Sequence, residues 1–158
     1  MKNAFFVNPY TPESDKFHFW EMLIKNDFEG FLSGNWNLIE NDFHSELFFG
    51  FDFRNSSSGR HCRLTYPTLE SYKKQWLEDS DKFRSNKFLR SPRERLYSLT
   101  KLENIEVYEK SAAVHKVFNG TIELVNKEPI NLSWRSIFLL QKINQEWFIV
   151  GFNGYMKE

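Results

Sequence analysis

INLSWRSIFLLQKINQEWFIVGFNGY, residues Ile130–Tyr155, decides the fold. Two long runs rich in aromatic and β-branched residues flank Asn144-Gln145, the composition of two antiparallel strands and a tight turn. In the first run Trp134, Phe138 and Leu140 share one face, and Ile137 and Leu139 the other. In the second, strict alternation sets Trp147 and Ile149 opposite Phe148, Val150 and Phe152. A sheet apolar on both faces must be covered twice: helices are expected on one side, and on the other a second copy of the chain, the alternative being loops or the first ten residues of the same chain.

Working outward from this ribbon, Leu96–Tyr108 and Ala112–Leu124 also read as long strands, with a reversal expected at Asn126-Lys127-Glu128-Pro129. Asn119-Gly120 has the composition of a two-residue hairpin, but inside so long a run we read it as a bulge or bend that lets the sheet curl. The N-terminal half has a different period. Thr11-Pro12-Glu13 has the form of a helix start, and Phe17, Trp20, Ile24, Phe28 and Phe31 recur at helical steps. Ser33-Gly34 interrupts that stripe, and Trp36, Ile39 and Phe43 suggest a second short helix. Leu47–Phe53 alternates as a strand, and His61–Tyr66 is a candidate partner for it. Pro67-Thr68 opens a helix carrying Leu69, Tyr72, Trp76 and Leu77, ending near Ser80-Asp81.

Helices first and a meander of strands last define an α+β domain: N-terminal helices packed in the concave face of a strongly curved antiparallel sheet. With 158 residues and no visible linker or repeat, one domain over 1–158 is expected, with residues 1–12 as an N-terminal arm. The 17 Phe, five Trp and six Tyr suit either a wide core or an aromatic-lined pocket for a small apolar molecule.

Charge narrows the partners. With 21 basic and 21 acidic residues the chain lacks the basic excess of a nucleic-acid binder, and Arg90, Arg93 and Arg95 read as a solvated connection. The only cysteine is Cys62; no apolar run approaches the length of a membrane span or signal peptide, so a cytoplasmic protein is expected. His18, His44, His61 and His115 show no metal-ligand spacing, and no phosphate loop or nucleophile elbow occurs; no metal or cofactor is expected.

The order of these elements resembles the nuclear-transport-factor-two-like superfamily, particularly its SnoaL-like branch. Carrying the likeness are the helices broken at Ser33-Gly34-Asn35-Trp36, the aromatic strand Leu47–Phe53, the single helix after Pro67-Thr68 and the ending Phe138–Val150 with its Trp-x-Ile-Val strand. The resemblance implies a cystatin-like cone with an internal cavity, and frequent dimerisation through the convex sheet face. It names no reaction, because this fold serves isomerases, dehydratases, epoxide hydrolases and cyclases as well as domains that catalyse nothing.

Enzymes on such a scaffold move a proton inside a water-poor cavity. Asp52, which follows a run of aromatics, is one candidate carrier if burial raises its pKa; the alternative is an ion pair with Arg54 or Arg63. His115, inside a predicted strand, is the other; it shares its face with Ala113 and Val117, and the alternative places it on the dimer face. Neighbours in a strand point to opposite faces, so His61-Cys62 is not a nucleophile–base pair. Tyr66, Tyr97, Trp134, Phe138 and Asn153 are candidate pocket residues, Asn153 standing where many SnoaL-like sequences carry histidine. Three functions follow: a small-molecule-binding cone, a lyase or isomerase acting on a hydrophobic substrate, or a non-catalytic dimerisation module.

Overall fold

A computed structural model describes residues 4–54 and 64–156. Its helices lie in the concave face of a five-stranded sheet of order β1-β7-β6-β3-β2, beside a separate two-stranded ribbon, β4-β5. Helix α1 (Asp15–Trp20) starts at an N-cap on Ser14, whose hydroxyl accepts from the Phe17 N–H; Thr11 instead supplies the carbonyl of the preceding turn. A π-helical turn, Glu21–Asn26, joins α1 to α2 (Asp27–Ser33), which closes on Gly34 in the left-handed conformation at φ 69°.

The π-turn changes which residues face inward. Its extra residue per turn rotates the apolar stripe, so Phe19, Met22 and Leu23 enter one buried cluster while Trp20, Ile24 and Phe28 enter a second. Phe17, expected in the stripe, is only half-buried. Trp36–Leu38 and Glu40–Asp42 form two 3-10 turns in place of the expected second helix.

Strand β1 (Phe49–Asp52) is shorter than expected and pairs parallel to β7 (Glu146–Met156), so the sheet is mixed. Its expected partner around residues 61–66 is represented by one bridge, Gly50 to Tyr66, and His61, Cys62 and Arg63 lie outside the described residues. Gly50 admits this packing because a Cβ there would sit 2.6 Å from the Phe152 ring. Helix α3 (Leu69–Arg84) starts at Thr68, which forms a reciprocal capping box with Ser71, and runs past Ser80-Asp81 by one turn.

The segment expected as a strand from Leu96 begins as helix α4 (Pro92–Leu99). Ser91 caps it by accepting from the Glu94 N–H, and Pro92 supplies the first-turn φ, a start signal that outweighs the apolar residues after it. Strands β2 (Thr100–Tyr108) and β3 (Ser111–Phe118) follow, with a bulge between Glu103 and Glu106 where Asn104 takes φ 47°.

At Asn119-Gly120 the chain leaves the sheet. The Asn119 N–H bonds the Leu99 carbonyl at 2.9 Å, Gly120 takes φ 148°, and β4 (Thr121–Leu124) pairs instead with β5 (Lys127–Asn131). The dipeptide is therefore a bend between two sheets, and the reversal falls at Val125-Asn126 with Lys127 and Pro129 already in β5. Strand β6 (Trp134–Ile143) returns through Asn144 and Gln145, whose φ values of 49° and 67° make the expected tight turn.

One correction matters for the interior. Leu139 pairs with Gly151 but Leu140 with Ile149, so Val150 is an extra residue in β7. That bulge shifts the alternation by one, and Phe152 joins Trp147 and Ile149 on the concave side instead of facing away from them. The β2 and β7 bulges together supply the curl expected of Asn119-Gly120 alone.

Candidate functional site

Aromatic rings fill most of the cone. Trp36, Phe43, Phe48, Tyr66, Tyr72, Trp76, Phe138 and Phe152 form a continuous network of stacked, edge and tilted contacts at centroid separations of 5.2–6.1 Å. What remains beside Met22, Leu23, Asp27, Tyr72, Lys116 and Phe138 is a cavity of about 10 Å³, room for one water molecule. Where a ligand-sized hollow was expected, the described residues leave only this small cavity, and the bulge at Val150 adds the Phe152 ring to the aromatic fill.

Charge is buried at that cavity. Lys116, on the concave face of β3, is 3% exposed along its side chain, and its Nζ donates to Asp27 Oδ2 at 2.6 Å. Asp27 Oδ1 accepts from the Trp76 indole at 3.2 Å, and the ammonium lies over the Phe28 and Phe118 rings at 4.5 and 5.3 Å. The π-turn ends immediately before Asp27 and delivers it to Lys116. Burial pushes the Lys116 amine below its ordinary value, and the Asp27 carboxylate opposes that shift.

A second carboxyl stands nearby. Asp42, on the turn Glu40–Asp42, accepts from the Asn26 amide at 3.0 Å. Burial, opposed by this hydrogen bond and reinforced by the Asp27 charge, pushes its carboxyl up to about 6. A carboxyl held near neutrality beside a buried ion pair is an arrangement able to exchange a proton. Sequence reasoning missed all three residues: Asp27 and Lys116 belong to no local motif, and Asp42 sat in an expected helix. The signal that could have found Lys116 is its alternation with Val114 and Ala112 on the apolar face of its strand.

The expected site residues are dispersed. Asp52 faces the concave side at the end of β1, where Arg54 grips it by Nε to Oδ1 at 2.9 Å and Nη2 to Oδ2 at 2.6 Å. Burial acts to raise its carboxyl, but the hydrogen bonds and charge of Arg54 win and hold it below the ordinary value, opposite to the expected direction. Arg54 in turn stacks over Trp134 at 4.8 Å. Tyr66 and Phe138 lie in the main aromatic network; burial, with Asp52 and Asp79 nearby, pushes the Tyr66 phenol up to about 12.

Tyr97 and Trp134 pack in the second cluster, away from that cavity. Tyr97 donates to Glu29 at 2.8 Å, and its phenol is raised by burial and by that carboxylate. Phe6 of the arm seats against Tyr97 at 5.0 Å under Arg93. His115 and Asn153 are on the convex face: His115 pairs across to Ile137, and Asn153 to Ile137 from the other side. Neither reaches the interior. The structure thus brings together Asp52, Tyr66 and, through Arg54, Trp134 at the sheet end, while the interior charges are residues of another set.

A larger hollow, about 270 Å³, opens on the surface between Trp36, Glu40, Ser45 and the first turn of α3. No helix among the described residues is long and apolar enough to cross a membrane.

No protein-family model matches the sequence, and no curated protein does. Solved structures do. A domain of unknown function with a cystatin-like fold from Nostoc punctiforme superposes with a TM-score of 0.59 at 14% identity, covering 94% of this chain and 80% of that one. An NTF2-like protein of unknown function from Shewanella baltica gives 0.51 at 15% identity, covering 94% and 99%. A putative calcium/calmodulin-dependent protein kinase type II association domain from Thiobacillus denitrificans gives 0.56 at 4% identity, covering 85% and 91%. The chain therefore has the NTF2-like, cystatin-like α+β cone fold. At these identities the likeness is one of fold.

Proposed function

We propose that this chain works as a self-associating module, two copies meeting through the convex faces of their sheets. One observation carries the reading: that face is apolar and, among the described residues, partly open to solvent. Phe49 and Leu139, 38% and 39% exposed, stand beside Ile137, Phe148 and the stacked pair Phe51–Phe53. A second copy suits it because Lys101 and Arg135 on this face both hold Glu103, at 2.8 and 3.1 Å, Glu106 adds a second carboxylate on the same face, and the chain's formal net charge is zero. A face of this kind meets its own copy without like-charge repulsion. That one structural neighbour is described as an association domain supports the same use of the fold.

Light scattering on an eluting column peak tests it. The expected species has twice the 19.0 kDa chain mass, and Leu139→Glu, a change at an exposed position, returns it to one chain. A wild-type peak at one chain mass would overturn the proposal.

The interior charges favour a second reading, in which the cone opens beyond the single-water cavity to admit a small apolar molecule, and Asp42, Asp27 and Lys116 handle a proton in lyase- or isomerase-type chemistry. A thermal-shift screen of small hydrophobic compounds tests it, with Asp42→Asn expected to abolish any turnover and Asp52→Asn and His115→Gln expected to leave it unchanged. Failure of every compound to shift the melting point sinks this reading and leaves the first intact.

A further inference from the structure

Among the charges of the convex face, His115 has a constrained protonation state. Its Nδ1 lies 3.2 Å from Nη1 of Arg135. A guanidinium only donates, so Nδ1 accepts and the imidazole proton resides on Nε2. The bond from Arg135 therefore requires an unprotonated Nδ1.

We propose, resting on association through this face, that the contact between copies is proton-sensitive with His115 as its sensor: a proton on Nδ1 breaks the bond from Arg135 and sets two cations side by side on a surface that association must dehydrate.

The groups facing His115 support this. Across on β2 stands Glu103, with Lys101 and Glu106 on the same face; on β6 stands Arg135, and beyond it Tyr155 on β7. Along β3 itself the neighbours on this face are Ser111, Ala113 and Val117, none of them charged. Glu103 is the obvious counter-ion for an imidazolium, but Lys101 and Arg135 already hold it. With His115 neutral, two cations and two carboxylates balance; one more proton leaves the cluster positive. An isologous pair doubles that excess at one interface, where like charges cost more than on a free surface.

Histidine is the side chain whose charge changes in the mildly acidic range, so the comparison is made at about pH 7.5 and about pH 5.5. Sedimentation velocity at those two values, on wild type and His115→Gln, tests it, with circular dichroism confirming a folded chain at the lower one. Glutamine keeps a carbonyl that accepts from Arg135 at either pH. Wild-type dimer affinity is expected to weaken about tenfold or more on acidification, and that of the glutamine variant to stay level. Equal wild-type affinity at both values overturns the inference while leaving association standing. Equal weakening of both proteins also overturns it, moving the sensor elsewhere, for example to His44 beside Phe148. A monomer at the higher pH overturns association itself and this inference with it.

Discussion

Lys116→Met or Asp27→Asn alone is expected to cost about 3–5 kcal/mol of folding stability, whereas the double variant comes back to within about 1 kcal/mol of wild type. The physics is that of a lysine out of water held by an aspartate whose side chain is 27% exposed. Lys116 is 3% exposed along its side chain, so its charge depends on Asp27 at 2.6 Å and on the two phenylalanine faces beneath it. Remove the lysine, and Asp27 is left beside Asp42, each raising the other's cost of ionisation. Neutralise the aspartate, and the ammonium keeps a weaker acceptor in a place without solvent. Changing both removes both charges, while the asparagine amide that replaces the Asp27 carboxylate still accepts from the Trp76 indole. Chemical denaturation of the four proteins gives the coupling directly. Additive losses would show that the two charges do not depend on each other, contrary to their geometry.

Asp42→Asn is expected to stabilise the protein at neutral pH by about 1–2 kcal/mol, with the gain vanishing towards about pH 4. The folded carboxyl titrates at about 6 against an ordinary value of 3.8. Between those values the folded chain holds a proton that the unfolded chain has released, so unfolding free energy falls as pH rises through this window. The contribution of Asp42 is complete below 3.8 and lost above about 6. Asparagine keeps an acceptor for Asn26 and carries no charge, which removes the neutral-pH penalty. Urea melts of both proteins at several pH values decide the matter; a variant that is less stable at neutral pH would place Asp42 in a favourable ionic contact instead. A group tuned this way without benefit to stability is also what a proton-transfer site requires, which links this measurement to the second functional reading.

Much of the fold was legible because its signals are local. The capping chemistry of Thr68, the left-handed turn at Asn144-Gln145 and the period change between the N-terminal helices and the late strands all act over a few residues. Helix α4 carried a start signal of equal quality in Ser91-Pro92-Arg93-Glu94, which the apolar residues that follow concealed. Gly34 closes a helix where its position suggested.

The site was less legible for a different reason. Asp52 and Arg54 are two residues apart, and their pairing could be named as an alternative in advance. Asp27 and Lys116 are 89 residues apart, and no local pattern joins them. Their meeting depends on a π-turn in one element and on strand register in the other.

By itself, then, the sequence determined an α+β domain with helices first, a sheet apolar on both sides and a formal net charge of zero, since periodicity, turn chemistry and composition are properties of neighbouring residues, while the cone followed from the family resemblance. Only the tertiary structure decided that Asp27 and Lys116 meet at an interior cavity of about 10 Å³ with Asp42 near Asp27, and that His115 and Asn153 face outward. One inserted residue, Val150, is enough to exchange the faces of a strand, and the consequences of such a shift are felt only where distant elements pack together.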